Sequence, residues 1–267
     1  MAARIQVSPA LFSCTSILPS ISRHVRRRNR SIHRLFSNES PPCGSASSSF
    51  FVQAQRGFSF QEENFASSAD LCVDAPLKII KYPDPRLRAK NKRVNSFDDN
   101  LKKVVDEMFD VITDGIGLSA PQVGMNIQLM VFNPAGERGE GEEVVLVNPV
   151  VHKSSKKSLL YNEGCLSFPG IYADVVRPAS VKIDARDVSG ARFRLNLSGL
   201  PARVFQHEFD HLKGILFFDR MGEDVLYGIM SELKVLEKKY EDLTGQPSPE
   251  NIDNHTQRQQ FAGLART

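Results

Sequence analysis

The sequence has no apolar stretch approaching the roughly 18–20 residues that a membrane-spanning helix needs, so no helical span is expected. Cysteine is scarce. Cys14, Cys43, Cys72 and Cys165 are irregularly spaced, which excludes a disulfide framework and leaves Cys165, the one inside the expected globular region, as a free thiol of a reducing compartment. No GK[ST] follows a strand, so there is no phosphate-binding loop. No internal repeat is present, and no short apolar core precedes a small-residue cleavage site, which argues against secretion. Lysine is absent before Lys78, and one acid, Glu39, precedes Glu62. Through residue 60 eight arginines face that single acid, a net +7 in a chain whose total is +3, so the rest carries −4. A nucleic-acid reading of the whole chain loses its support, and no direct nucleic-acid binding is expected.

What is there begins with that basic leader. Residues 1–70 are Arg-rich, Ser-rich and acid-poor, the composition of an organelle transit peptide. The arginine cluster Arg26-Arg27-Arg28-Asn29-Arg30 suits mitochondrial import and the serines suit a plastid. The chloroplast stroma is expected, with the mitochondrion as a second destination. A globular domain is expected over 76–240, with a flexible polar tail over 241–267.

Within that domain, Leu101, Val104, Val105, Met108, Phe109 and Ile112 fall on one stripe and predict a helix over 98–112, capped by Ser96 and ended at Asp114-Gly115. A β-rich stretch follows. Ile127, Leu129 and Val131 alternate, Val144 to Val151 is a continuous apolar run, and Val181, Ile183 and Ala185 alternate again. Asp187-Val-Ser-Gly190 turns the chain into Phe193, Leu195 and Leu197, a hairpin. A second helix is predicted from Pro201 to Lys213, stopped by Gly214, and a last one from Asp224 to Tyr240. The fold class is α+β: antiparallel sheets packed around a central helix, with an N-terminal and a C-terminal helix.

The central helix carries His207-Glu-Phe-Asp-His211, an HExxH. Residues four apart share a helix face, so both imidazoles can reach one metal ion, and Glu208 can take a proton from a metal-bound water. Val204, Phe205 and Leu212 flank the pair, so the helix is buried and its polar groups need partners. Two candidates could supply a third ligand. Glu232 sits on the last helix, where a thermolysin-like metalloprotease would place a carboxylate, but its neighbours Lys234, Glu237, Lys238 and Lys239 read as a solvated face. Cys165 follows a glycine in the turn-rich segment Asn162-Glu-Gly-Cys-Leu-Ser-Phe-Pro-Gly170, where the backbone can approach a ligand closely. Cys165 is favoured. Gly115-Ile-Gly-Leu-Ser-Ala-Pro-Gln-Val-Gly124 brackets one amide side chain with glycines, placing Gln122 to donate a hydrogen bond.

These three segments, Gly115 to Gln122, Glu163-Gly-Cys-Leu-Ser167 and Gln206 to His211, resemble in order the signature motifs of the peptide deformylases, over about residues 76–220. With the leader in front, the chain resembles a plant organellar member. The resemblance implies one divalent ion per chain, Fe(II) or Zn(II), held by Cys165, His207 and His211. It implies a metal-bound water as nucleophile, Glu208 as general base and acid, and Gln122 with the Leu166 N–H holding the oxyanion. Ile116, Gly117 and Gly164 would line a pocket tight enough for formyl. The implied substrate is the formyl-methionyl end of a nascent chain, met near the organelle ribosome, with formate as a product. Asp210 and Glu163 are candidates to orient the ligands. Arg203, one turn before His207, would line the methionine pocket with its stem and send its head to water. Where bacterial members carry an Arg after the Cys motif, this chain has Ile171-Tyr172-Ala173. His24, His33, His152 and His255 have no matching neighbours and are expected to be structural or exposed. The thermolysin-like protease is the alternative.

Overall fold

The computed structural model describes residues 65–72, 75–112 and 115–254. The leader lies outside the described residues up to 64. Phe65 bridges to Arg93, and Ala66 and Leu71 are buried in one cluster with Leu101, Val104 and Met108, so packed chain is present before residue 70. Helix α1 spans Asp99–Val111 and buries the predicted stripe from Leu101 to Phe109. Its cap is Asp98 rather than Ser96: the Asp98 carboxylate accepts from the N–H groups of Asn100 and Leu101, while the Ser96 hydroxyl merely donates to Asp98. A carboxylate there also suits the positive end of the helix dipole.

Five strands form one antiparallel sheet in the order β1-β2-β3-β6-β7 (Gly117–Ser119, Leu129–Phe132, Val144–Ser154, Ser180–Arg186 and Arg192–Ser198). Strand β2 is buried on both faces, so the predicted alternation from Ile127 gives way to four consecutive core residues. Strands β4 (Ser158–Cys165) and β5 (Phe168–Pro178) pair only with each other among the described residues, with Gly164 opposite Tyr172. In β5 the odd positions Ile171, Ala173, Val175 and Arg177 turn inward while Tyr172, Asp174 and Val176 face outward.

Helix α2 runs Gly199–Leu212, two residues earlier than Pro201, and packs on the inner face of the five-stranded sheet through Ala202, Val204, Phe205 and Leu212. Gly214 stops it in a left-handed conformation where a Cβ would lie 2.6 Å from the Arg88 carbonyl oxygen, so glycine is required twice over. Helix α3 spans Glu223–Thr244, four residues beyond Tyr240, and covers β5. A third cluster joins them: Tyr82 stacks on Phe168 at 5.0 Å and meets Phe218 edge-on at 5.4 Å.

The expected flexible tail is corrected here. Residues 241–244 are helical, Ile252 is buried in the aromatic cluster, and its N–H donates to Glu237 at 2.9 Å. Arg88 holds Glu250 through its Nε at 2.8 Å. An isolated isoleucine among polar residues gave no periodic signal, yet its burial removes a whole side chain from water, about 1.5–3 kcal/mol. Residues 255–267 lie outside the described set. No helix among the described residues is long and apolar enough to cross a membrane.

Candidate metal centre

Helix α2 presents His207, Glu208 and His211 on one buried face, and the end of β4 brings Cys165 to meet them. One donor atom each from Cys165, His207 and His211 lies within 4.8 Å of the other two, with Cys165 Sγ 3.3 Å from His211 Nε2. The other ring nitrogen of His207, Nδ1, is taken by Glu163 at 3.0 Å, which fixes the ring and leaves Nε2 for the centre. A thiolate with two imidazoles, converging without a backbone group between them, is a donor set for a borderline ion such as Zn(II) or Fe(II). Glu232 is not part of it. That carboxylate is exposed on α3 and accepts from its neighbour Ser231.

Glu208 is buried, and its Oε2 has no hydrogen-bond partner among the described residues. Burial pushes its carboxyl up to about 7, against the pull of the neighbouring His207. A carboxyl poised near neutrality is suited to pass a proton in either direction. Burial alone would push His207 down, but the Cys165 sulfur and the hydrogen bond to Glu163 hold it up at about 10, whereas burial leaves His211 well below its ordinary value. A cation bound by the three donors would compete with the proton that these contacts favour on the His207 ring.

Gln122 is set by its own loop. Its Oε1 accepts from both the N–H and the hydroxyl of Ser119 at 2.8 Å, so its NH2 must point the other way. There it lies 3.6 Å from Cys165 Sγ and 3.4 Å from Ser167 Oγ. Gln122, Leu166, Ile116, Gly117 and Gly164 line one cleft of about 1210 Å³ with Cys165, His207 and Glu208. The structure thus brings every predicted site residue to a single place.

Behind the ligands lies a buried charge network that spacing did not reveal. Glu163 Oε1 accepts from Arg177 Nε at 2.8 Å and Arg203 Nη1 at 2.9 Å, while its Oε2 accepts from Arg177 Nη2 at 3.0 Å. Burial would raise the Glu163 carboxyl, but the hydrogen bonds from His207 and Arg177 outweigh it and hold the group at about 2. The Asp210 carboxylate bonds Arg177 and Arg220 rather than a ligand ring. It is buried and accepts from Arg177 at 2.6 Å and from Arg220 at 3.0 Å and 2.5 Å. Glu163 and Asp210 thereby both have cationic donors, as burial of charge requires. Arg203 departs from the expectation of a head in water. Its guanidinium is buried, donates to the carbonyls of Val175 at 2.9 Å and Leu159 at 2.6 Å, and lies 5.7 Å from the Tyr161 ring centre. Arg177 went unnoticed in the sequence, although an arginine at the fourth inward position after Ile171, Ala173 and Val175 was a usable signal. His152 is exposed on β3 and bonds Asp184, and the other three non-motif histidines lie outside the described residues.

Comparison with known proteins agrees with this geometry. Residues 76–225 match the family described as polypeptide deformylase. The chain is 63% identical over 225 residues to peptide deformylase 1B, chloroplastic, of rice, covering 80% of this chain and 84% of that one. It is 55% identical over 261 residues to the chloroplastic/mitochondrial peptide deformylase 1B of Arabidopsis thaliana, covering 94% of both. A crystal structure of a plant peptide deformylase superposes with a TM-score of 0.67 at 68% identity, over 67% of this chain and 99% of that one. One from Plasmodium falciparum gives 0.62 at 43% identity, over 63% and 100%. Fold, donor set and sequence agree: the chain belongs to the polypeptide deformylase family.

Proposed function

We propose that Cys165, His207 and His211 hold one divalent ion, Fe(II) or Zn(II), and that Glu208, Gln122 and the Leu166 N–H act around it to remove the formyl group from N-terminal formyl-methionine. The deformylase activity follows from family membership, and the observation that supports these roles is the convergence of three donors beside a buried carboxylate. An ion held there would supply Lewis acidity, bringing the pKa of a bound water toward neutrality and polarising the formyl carbonyl. Glu208 takes a proton from the attacking water and delivers it to the amine nitrogen as the C–N bond breaks, giving formate and a free amino terminus. Gln122, turned by Ser119, and the Leu166 N–H donate to the developing oxyanion. Loss of one such donor costs about 3–4 kcal/mol in comparable sites. Ile116, Gly117 and Gly164 bound the space for the acyl group.

The rice and Arabidopsis relatives are named chloroplastic and chloroplastic/mitochondrial. With the Arg-rich leader, that supports work in an organelle: the chloroplast stroma, with the mitochondrion as a second destination, on nascent chains near the organelle ribosome. The test is to incubate metal-loaded protein with formyl-Met-Ala-Ser and follow formate, free amine and internal cleavage. Formate with free amine is expected, and internal cleavage would favour the protease. Glu208→Ala should keep its metal and lose nearly all formate release, and substantial turnover would remove Glu208 from the reaction.

A further inference from the structure

Residues 65–254 hold twenty-four Lys and Arg against twenty-eight Asp and Glu, a net charge of −4, but the charge is not evenly spread. Val181, Ile183 and Ala185 of β6 face α2, so the alternate side chains of β6 and β7 point away from it. That outer face carries Lys182, Arg186, Arg192 and Arg194, and β3 with its turn to β4 adds Lys153, Lys156 and Lys157. Two carboxylates, Asp184 and Asp187, stand among these seven cations. The face with its bordering turns therefore carries +5 and the rest of the region −9.

The arrangement is unfavourable for the sheet itself. Lys153 lies opposite Lys182, and Arg186 opposite Arg192, two like-charge cross-strand pairs. Arg194 is held by Asp184, and Arg186 by the Gly190 carbonyl and the Phe97 ring. Among the described residues Lys153, Lys156, Lys157, Lys182 and Arg192 have no acidic partner, and all five are exposed. Nor does the chain supply a counter-charge from its ends, since the first sixty residues and 255–267 are themselves basic.

We propose that this sheet face docks the phosphate backbone of structured RNA. Cations two residues apart along a strand repeat at about 6.8 Å, a spacing comparable to that of successive phosphates. Val150 is the one large apolar side chain exposed on this face, which gives a membrane nothing to bury and a protein partner no anchor. None of these residues lines the cleft, so the inference stands apart from the deformylase reading.

The test titrates a labelled RNA duplex of about 16 base pairs with the full metal-loaded chain, by fluorescence anisotropy at about 50–200 mM salt. Lys153→Glu/Lys182→Glu/Arg192→Glu should lose at least about tenfold in affinity and flatten the salt slope by about one per residue. The matching Gln variant should lose less, and both should release formate from formyl-Met-Ala-Ser at the parent rate, which also reports that they fold. Unchanged affinity and slope would overturn the proposal. So would polyglutamate of equal charge competing as well as RNA, or anionic vesicles capturing the chain through these residues in preference to RNA. Absence of formate release from the parent would instead overturn the deformylase reading and leave the RNA result standing.

Discussion

Gly117 and Gly164 border the same cleft, yet alanine should be punished at one and tolerated at the other. A Cβ on Gly117 would lie 2.6 Å from Val204 Cγ1 and 2.9 Å from Glu208 Oε1, where ordinary contact begins at 3.4 Å. About 0.8 Å and 0.5 Å must therefore be found, and both neighbours are buried residues one turn apart on α2. Either the helix lifts from β1 or Glu208 rotates. Overpacking of this kind costs about 1–3 kcal/mol, a Tm fall of about 2–12 °C for a domain of this size. A displacement of about 1 Å at a catalytic group costs about 100-fold in rate. A Cβ on Gly164 would approach Tyr172 just as closely, at 2.6 Å, but that ring is 69% exposed and free to swing outward. Gly164→Ala should then cost less than about 1 kcal/mol and spare most of the turnover. The assays are thermal unfolding and kcat/KM on formyl-Met-Ala-Ser for both variants at equal metal content. Equal behaviour of the two, or wild-type turnover in Gly117→Ala, would refute the reasoning.

Three further outcomes are expected. Cys165→Ala should sharply reduce metal content measured after dialysis while Glu232→Ala leaves it unchanged; the opposite pattern would return the third ligand to α3. Arg203→Met should destabilise by about 3–5 kcal/mol in denaturant unfolding, because it strips a donor from buried Glu163 and from two strand carbonyls; a loss under about 1 kcal/mol would mean Arg177 alone neutralises Glu163. Burial raises the Glu237 carboxyl above its ordinary 4.5, so the native state binds that proton more tightly than the unfolded chain. Its contribution to stability is then favourable at low pH and declines as pH rises from about 4.5 through the raised value. Glu237→Gln keeps an acceptor for Tyr82 and the Ile252 N–H, so at pH 7 it should raise Tm, by about 2–4 °C per kcal/mol gained. The advantage should vanish below pH 4.5; a lower Tm at neutral pH would contradict this.

The sequence made legible whatever repeats within a few residues. The α1 stripe, the α2 spacing of His207 and His211, and the β6–β7 hairpin all read from local period, because one face of each is buried. Strand β4 did not, since most of its residues are exposed on both faces and no alternation survives. The network of Arg177, Arg203, Arg220, Glu163 and Asp210 joins β4, β5 and α2 across long stretches of chain, and nothing local in spacing announces a cross-element ion pair. Gln122 was singled out by composition, but its orientation depends on Ser119 folding back upon it. A net charge likewise hides how β-strand alternation sorts signs onto faces.

Cys165 belongs to the two-stranded sheet, while His207 and His211 ride on the five-stranded one, and no strand pairing among the described residues joins the two. An ion bound by all three would act as a clasp across the jaws of the cleft, closing a chain loop whose opening would otherwise be favoured by entropy. Holding the ion would then reinforce the closure that the buried pairs of Arg177 and Arg203 already supply. Any peptide or inhibitor that fills the channel would slow escape of the ion, and a chelator would leave the hairpin held by the Glu163, Arg177 and Arg203 network.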